Sequence, residues 1–163
     1  MDILDLNDMD QITDSIWLGN LNSALNINKL KKEEIKKILT ISDSPPKIND
    51  EKSFFIKKMV KISDFPNRNI IKYFGECLNF INGEEKILVH CKLGTSRSAT
   101  IVIAYLMWKQ KMKYEEAYNY VKNKRKRIGP NSGFKQQLKI FQKHIQNLPK
   151  QVKKLMLSCN LPH

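Results

Sequence analysis

Cysteine and histidine are scarce in this chain. Cys77, Cys91 and Cys159 make an odd number with no C-x-x-C pair, and there are three histidines. Neither a disulfide framework nor a zinc site is suggested by that supply, and no cofactor is expected. Long apolar runs are also missing: nothing approaches the roughly 18 consecutive apolar residues of a membrane span. Lys and Arg are absent from residues 1–28, which hold five aspartates, so "MDILDLNDMDQITD" lacks the positive start of a secretory signal. These absences predict a soluble chain in a reducing, cytoplasmic compartment, with free thiols available for chemistry.

What is present is length and positive charge. A chain of 163 residues, 41% hydrophobic, fits one core rather than two domains. The net charge is +13 and its lysines are scattered, so it reads either as surface solvation or as preparation for an anionic substrate or partner. No internal repeat is visible.

Short strands are predicted over Ser15–Gly19, Lys37–Ile41, Phe54–Ile62 and Lys86–His90. Asn20–Lys36 reads as a helix, and Ser42–Lys52, with Pro45 and Pro46, as a loop. Ile70, Ile71, Phe74, Leu78 and Ile81 recur at helical spacing until Asn82-Gly83. Arg97–Gln110 is apolar almost all round, as a helix buried inside a domain should be. Tyr114, Ala117, Tyr118, Val121 and Arg125 form one further stripe, and Phe134, Leu138, Phe141 and Ile145 another. Strands alternating with helices predict a single α/β domain over residues 1–148, followed by a basic tail over 149–163. Its ligand site belongs where strands end and helices begin.

One such junction carries chemistry: "ILVHCKLGTSRS", residues 87–98. A buried strand runs into a short polar loop containing Gly94 and then into the apolar helix. Backbone N–H groups in such a loop can curl around an anion while the helix N-terminus adds positive potential. Arg97 opens the helix and offers a planar, two-pronged grip on phosphate oxygens that lysine cannot imitate. A free thiol has a pKa of about 8.5, and a helix terminus supplies at most ~2 kcal/mol towards the thiolate. Loop N–H groups, Arg97 and the Ser98 hydroxyl would have to supply the rest as hydrogen bonds to sulfur. A cysteine ending a valine-containing strand is ordinarily a small core residue. The conjunction of strand, Gly94, Arg97 and Ser98 favours a nucleophile.

Residues 90–98, H-C-K-L-G-T-S-R-S, resemble the H-C-x-x-G-x-x-R-S loop of the cysteine-dependent protein tyrosine phosphatases, and more closely that of the dual-specificity phosphatases. Ile16-Trp17-Leu18-Gly19, "ATIVIAYLM" and "IGPNSGFKQQL" extend the resemblance over most of the chain. It implies a protein tyrosine phosphatase-like fold, a central twisted, mostly parallel sheet flanked by helices on both faces. It also implies a metal-independent protein phosphatase acting on phosphotyrosine and on phosphoserine or phosphothreonine through a cysteinyl-phosphate intermediate. In that reading Cys91 attacks phosphorus. Lys92, Leu93, Gly94, Thr95, Ser96 and Arg97 hold the phosphoryl oxygens through backbone N–H groups and the guanidinium. Ser98 stabilises the thiolate, His90 braces the loop from beneath, and Asn131 buttresses it. Asn131 also suits a helix N-cap after Pro130.

Phosphate esters need the leaving oxygen protonated, so a carboxylic acid should face Cys91. Asp43 and Asp64 each follow a predicted strand, and spacing does not separate them. The resemblance does: the family's acid is followed at this distance by a Tyr-Phe or similar pair, here Tyr73-Phe74, which implies Asp64. Asn67 and Arg68 lie near that acid loop without an assigned role.

The resemblance implies phosphorylated proteins, protein kinases among them, as partners. The family's strict tyrosine phosphatases are longer and deepen their pocket with an extra loop that a chain of this length has no room for. Lys92 is a departure, since basic loop residues are similar to those of relatives acting on phosphoinositides or other polyphosphates. Inositol lipids and RNA 5′-phosphates are therefore the alternative substrates, nucleic acid or anionic lipid the alternative partners. A catalytically silent phospho-binding module is the alternative of another class. A sulfur-transfer or arsenate-reducing enzyme is disfavoured because the acid precedes the cysteine. "KNKRKR", residues 122–127, reads as the solvated face of a helix, with a nuclear address or a polyanion patch as alternatives. Cys77, beside Leu78, reads as a buried structural thiol, and a resolving partner for Cys91 is the alternative.

Overall fold

The computed structural model describes residues 7–147. The tail expected over 149–163, Cys159 included, lies outside the described residues. Five strands form one sheet: β1 (Met9–Gln11), β2 (Ile16–Gly19), β3 (Lys37–Ser42), β4 (Ile56–Lys61) and β5 (Ile87–His90), in the order β1-β2-β5-β3-β4. Only β1 runs antiparallel to its neighbour; the other pairings are parallel. The central place of β5 matters most, because its last residue precedes Cys91. Parallel neighbours on both sides require each strand to be buried on both faces, which is why "ILVH" carries no polar alternation.

Alternate residues divide between two cores. Ile16, Leu18, Leu39, Ile41, Ile87 and Val89 face one layer of helices: α3 (Phe74–Ile81), α4 (Arg97–Lys109), α5 (Tyr114–Lys124) and α6 (Ser132–Asn147). Ile38 and Leu88 face the other side, with Ala24 of α1 (Leu21–Leu25) and Leu30 of α2 (Ile27–Lys32). This is the expected sheet with helices on both faces. The helix α4 is buried from Arg97 to Met107, as its lack of a polar face requires.

Three sequence expectations need correction. The helix expected over Asn20–Lys36 is two short helices. Asn26 breaks it: its side chain accepts the N–H of Lys29 at 3.1 Å, capping α2 where an unbroken helix would have continued. The strand β1 was not foreseen, since three residues are too few for a periodic signal. Arg125 is not part of a solvated helix face; it ends α5 and is completely buried. No helix among the described residues is long and apolar enough to cross a membrane.

Candidate active site

The strand β5 delivers Cys91 to the C-terminal edge of the sheet, and α4 begins six residues later. The loop between them folds back on the sulfur. The N–H of Gly94 lies 3.2 Å from Cys91 Sγ, and Ser98 Oγ lies 3.1 Å from it. Such donors stabilise negative charge on the sulfur. Gly94 is obligatory here: its φ is +66°, and a Cβ would sit 2.5 Å from the carbonyl oxygen of Gly19. Cys91 is itself 3% exposed, at the floor of a cavity of about 370 Å³ that Asp43, Asp64, Lys92 and Arg97 also line.

Arg97 is buried, and its Nη1 donates to the Ile62 carbonyl at 3.1 Å and to Asp43 Oδ1 at 3.2 Å. Its Nε is buried with no partner. A guanidinium N–H buried without a partner carries a desolvation cost. Ser96 occupies the N-cap position of α4 but does not cap it. Its hydroxyl donates instead to Asp64 Oδ1 at 2.7 Å and accepts the N–H of Asn131 at 3.0 Å. The first-turn N–H groups of α4 are therefore not spent on a side-chain cap.

Asn131 joins the two halves of the site. Its Nδ2 donates to Asp64 Oδ1 at 2.9 Å, and its Oδ1 accepts the N–H of Phe134 in the first turn of α6, as a helix cap does. Close approach of the Asp64 loop to α6 depends on Gly133, where a Cβ would fall 1.9 Å from the Pro66 carbonyl oxygen. The two aspartates that spacing left equivalent are now distinct. A hydrogen bond from its own backbone N–H, and then the Arg97 guanidinium, hold the Asp43 carboxyl below the usual carboxylate range, a poor state for a proton donor. Among the described residues, the Asp64 carboxylate accepts its side-chain hydrogen bonds from the Ser96 hydroxyl and the Asn131 amide.

Lys92 and Leu93 are exposed at the loop's outer edge, and the Thr95 carbonyl accepts the N–H of Gly129 at 2.8 Å. His90 lies beneath the loop, 1% exposed, with Nε2 2.7 Å from Thr40 Oγ1 and Nδ1 3.2 Å from the Cys91 carbonyl. Both contacts are satisfied by a neutral ring with its proton on Nδ1. Burial is the main cause that pushes its pKa down to about 4, against a smaller upward effect of the Cys91 carbonyl. Between pH 6.5 and pH 4 the unfolded chain thus holds a proton that the folded chain refuses, so acidification destabilises the fold. From pH 7 to pH 5 the loss attributable to His90 is on the order of 1–2 kcal/mol. Urea midpoints at both pH values check it: His90→Gln should flatten the pH dependence, and an equal slope in parent and variant would rule this origin out.

The residue that sequence reasoning missed is Arg125. Its Nε donates to the Gly94 carbonyl at 2.9 Å and its Nη2 to that of Leu93 at 3.5 Å, while Nη1 meets Asp10 Oδ2 at 2.6 Å and the Asn7 carbonyl at 3.0 Å. The clue was available, since an arginine extends the apolar stripe of α5. Cys77 is completely buried in the main core, and burial pushes its thiol up to about 12, as an inert structural cysteine requires.

Residues 16–144 match the family model described as "Dual specificity phosphatase, catalytic domain". The dual specificity protein phosphatase MPK-4 of Drosophila melanogaster is 36% identical over 140 residues, which cover 83% of this chain and 36% of that protein. The MAP kinase phosphatase with leucine-rich repeats protein 1 of Dictyostelium discoideum is 40% identical over 139 residues, 83% of this chain and 16% of that protein. The chain thus spans well under half the length of either. The crystal structure of human tyrosine phosphatase-like serine/threonine/tyrosine-interacting protein superposes with a TM-score of 0.80 at 35% identity, covering 85% of this chain and 97% of that one.

Proposed function

The chain belongs to the dual specificity phosphatase family, and from that premise we propose that it is a metal-independent protein phosphatase hydrolysing phosphotyrosine and phosphoserine or phosphothreonine. Residues 1–148 form its catalytic domain in this reading. The observation that carries the proposal is the placing of the Gly94 N–H and the Ser98 hydroxyl on Cys91 Sγ, with Arg97 and Asp64 lining the same cavity.

Cys91 Sγ attacks phosphorus as the ester P–O bond breaks, and Asp64 gives its proton to the departing oxygen. Arg97 and the N–H groups of residues 92–97 carry the charge on the equatorial oxygens, where fixed donors are worth more than water. Water then attacks the cysteinyl phosphate with Asp64 taking its proton, and the S–P bond breaks with Ser98 donating to the leaving thiolate. Asn131 and Ser96 keep Asp64 over the loop throughout. Phosphorylated proteins, kinases among them, are the partners this chemistry implies.

The test is phosphate release from aryl phosphates with a chelator present, across pH 5 to 8. Asp64→Asn should lower turnover by about 10² to 10⁴ on substrates with poor leaving groups, and less where the leaving group needs no proton. Unchanged turnover would transfer the role to Asp43. A silent parent chain that still binds phosphopeptides would make it a recognition module.

A further inference from the structure

A second depression, of about 490 Å³, adjoins the Cys91 cavity, with Asp43 in the wall that both share. Lys61, Arg68 and Lys72 line it, together with Asn67 and Asn69. Its cations differ from the lysines around them. Earlier on the same strand, Lys57 is paired with Asp50 and Lys58 with Glu76, each at 2.9 Å. Lys61, at the end of β4 beside the site, has no ion pair or side-chain hydrogen bond among the described residues, nor has Arg68, and Lys72 meets only the Tyr73 ring. The one carboxylate in the wall, Asp43, is already engaged by Arg97. Three cations thus converge on one concave surface with their charge uncompensated.

The loop presenting Arg68 is held in place. The Arg68 carbonyl accepts Gln137 Nε2 at 2.8 Å, and Gln137 Oε1 accepts the N–H groups of Ile70 and Ile71 at 2.8 and 3.1 Å. Gln137 belongs to α6, the helix whose first residues receive the Asp64 loop, so the groove and the acid share one support. A preset position lowers the ordering cost of binding.

Resting on the phosphatase reading, we propose that this groove is a second anion subsite, taking a carboxylate or phosphate group on the same peptide as the phosphorylated residue at Cys91. The preferred substrate is then an acidic segment. Phe65, 58% exposed on the Cys91 cavity beside Asp64, offers an apolar contact to a neighbouring side chain of such a peptide, and the likeness to protein phosphatases favours a peptide over an inositol lipid as the occupant.

The test compares kcat/KM for matched phosphotyrosine peptides with neutral flanks, with glutamate before or after the phosphotyrosine, and with phosphoserine at the same places. The parent chain should favour an anionic flank by about tenfold at low salt, and the preference should fade in 0.5 M salt. In the Lys61→Met, Arg68→Met, Lys72→Met triple variant the ratio between peptides should fall towards one; Arg68→Lys should keep most of it. The glutamate and phosphoserine arms tell the two anions apart. No preference in the parent, a preference surviving in the triple variant, or stronger turnover of inositol lipid vesicles lost in that variant would each overturn the proposal. Should aryl phosphates not be hydrolysed at all, the phosphatase reading fails by itself, and the Kd values of the same peptides for Cys91→Ser still decide the subsite: equal affinities would remove it.

Discussion

Cys91→Ser is expected to lower phosphate release by about 10⁶-fold, to the background of the assay, as removal of a lone nucleophile does in other covalent enzymes. The reason lies in what surrounds the sulfur. Gly94 N–H and Ser98 Oγ are arranged to stabilise an anion at that atom, and among the described residues no imidazole or carboxylate is hydrogen-bonded to it. His90, the nearest imidazole in sequence, is fixed beneath the loop by Thr40 and the Cys91 carbonyl. A thiol ionises without a dedicated base; a serine hydroxyl in the same place stays protonated and attacks phosphorus slowly. Binding is expected to survive, because Arg97 and the loop N–H groups are untouched. Fluorescence anisotropy with a labelled phosphopeptide checks this, and parent-like turnover in Cys91→Ser would end the covalent mechanism.

Arg125→Met removes the brace rather than the nucleophile, and costs about 3–5 kcal/mol of stability, the usual penalty for taking one partner from a buried ion pair. Asp10, its side chain 12% exposed, loses its cation, and the carbonyls of Gly94, Leu93 and Asn7 lose their donor. For a chain of this size that corresponds to roughly 10 °C in Tm. Asp10→Asn should cost less, since it leaves the guanidinium its three carbonyl partners. The effect on activity exceeds what the lost stability explains, because Gly94 must keep both its positive φ and its N–H on the sulfur. A urea midpoint unchanged from the parent would show that Arg125 is not the brace the geometry makes it.

These residues differ in how they could be read. The strand, loop and helix around Cys91 were legible because they are contiguous: eight residues carry the sulfur, the positive-φ glycine, the arginine and the serine. The alternation of strands and helices, and the all-apolar α4, followed from periodicity in the same local way. The short β1, and the break at Asn26, escaped because a three-residue strand carries no period and a capping side chain competes with helix on equal local terms.

By itself, then, the sequence determined an α/β domain and a thiol set in a glycine-containing loop between a strand and a buried helix. Only the tertiary structure decided which aspartate shares the loop's hydrogen bonds, since Ser96 and Asp64 lie 32 positions apart, and that Arg125 reaches Asp10 across 115. It also turned three scattered cations into one groove. The physical reason is the parallel sheet: its order places β5 between β2 and β3, and strand order depends on burying both faces of every central strand, a condition of the assembled layers rather than of any one segment.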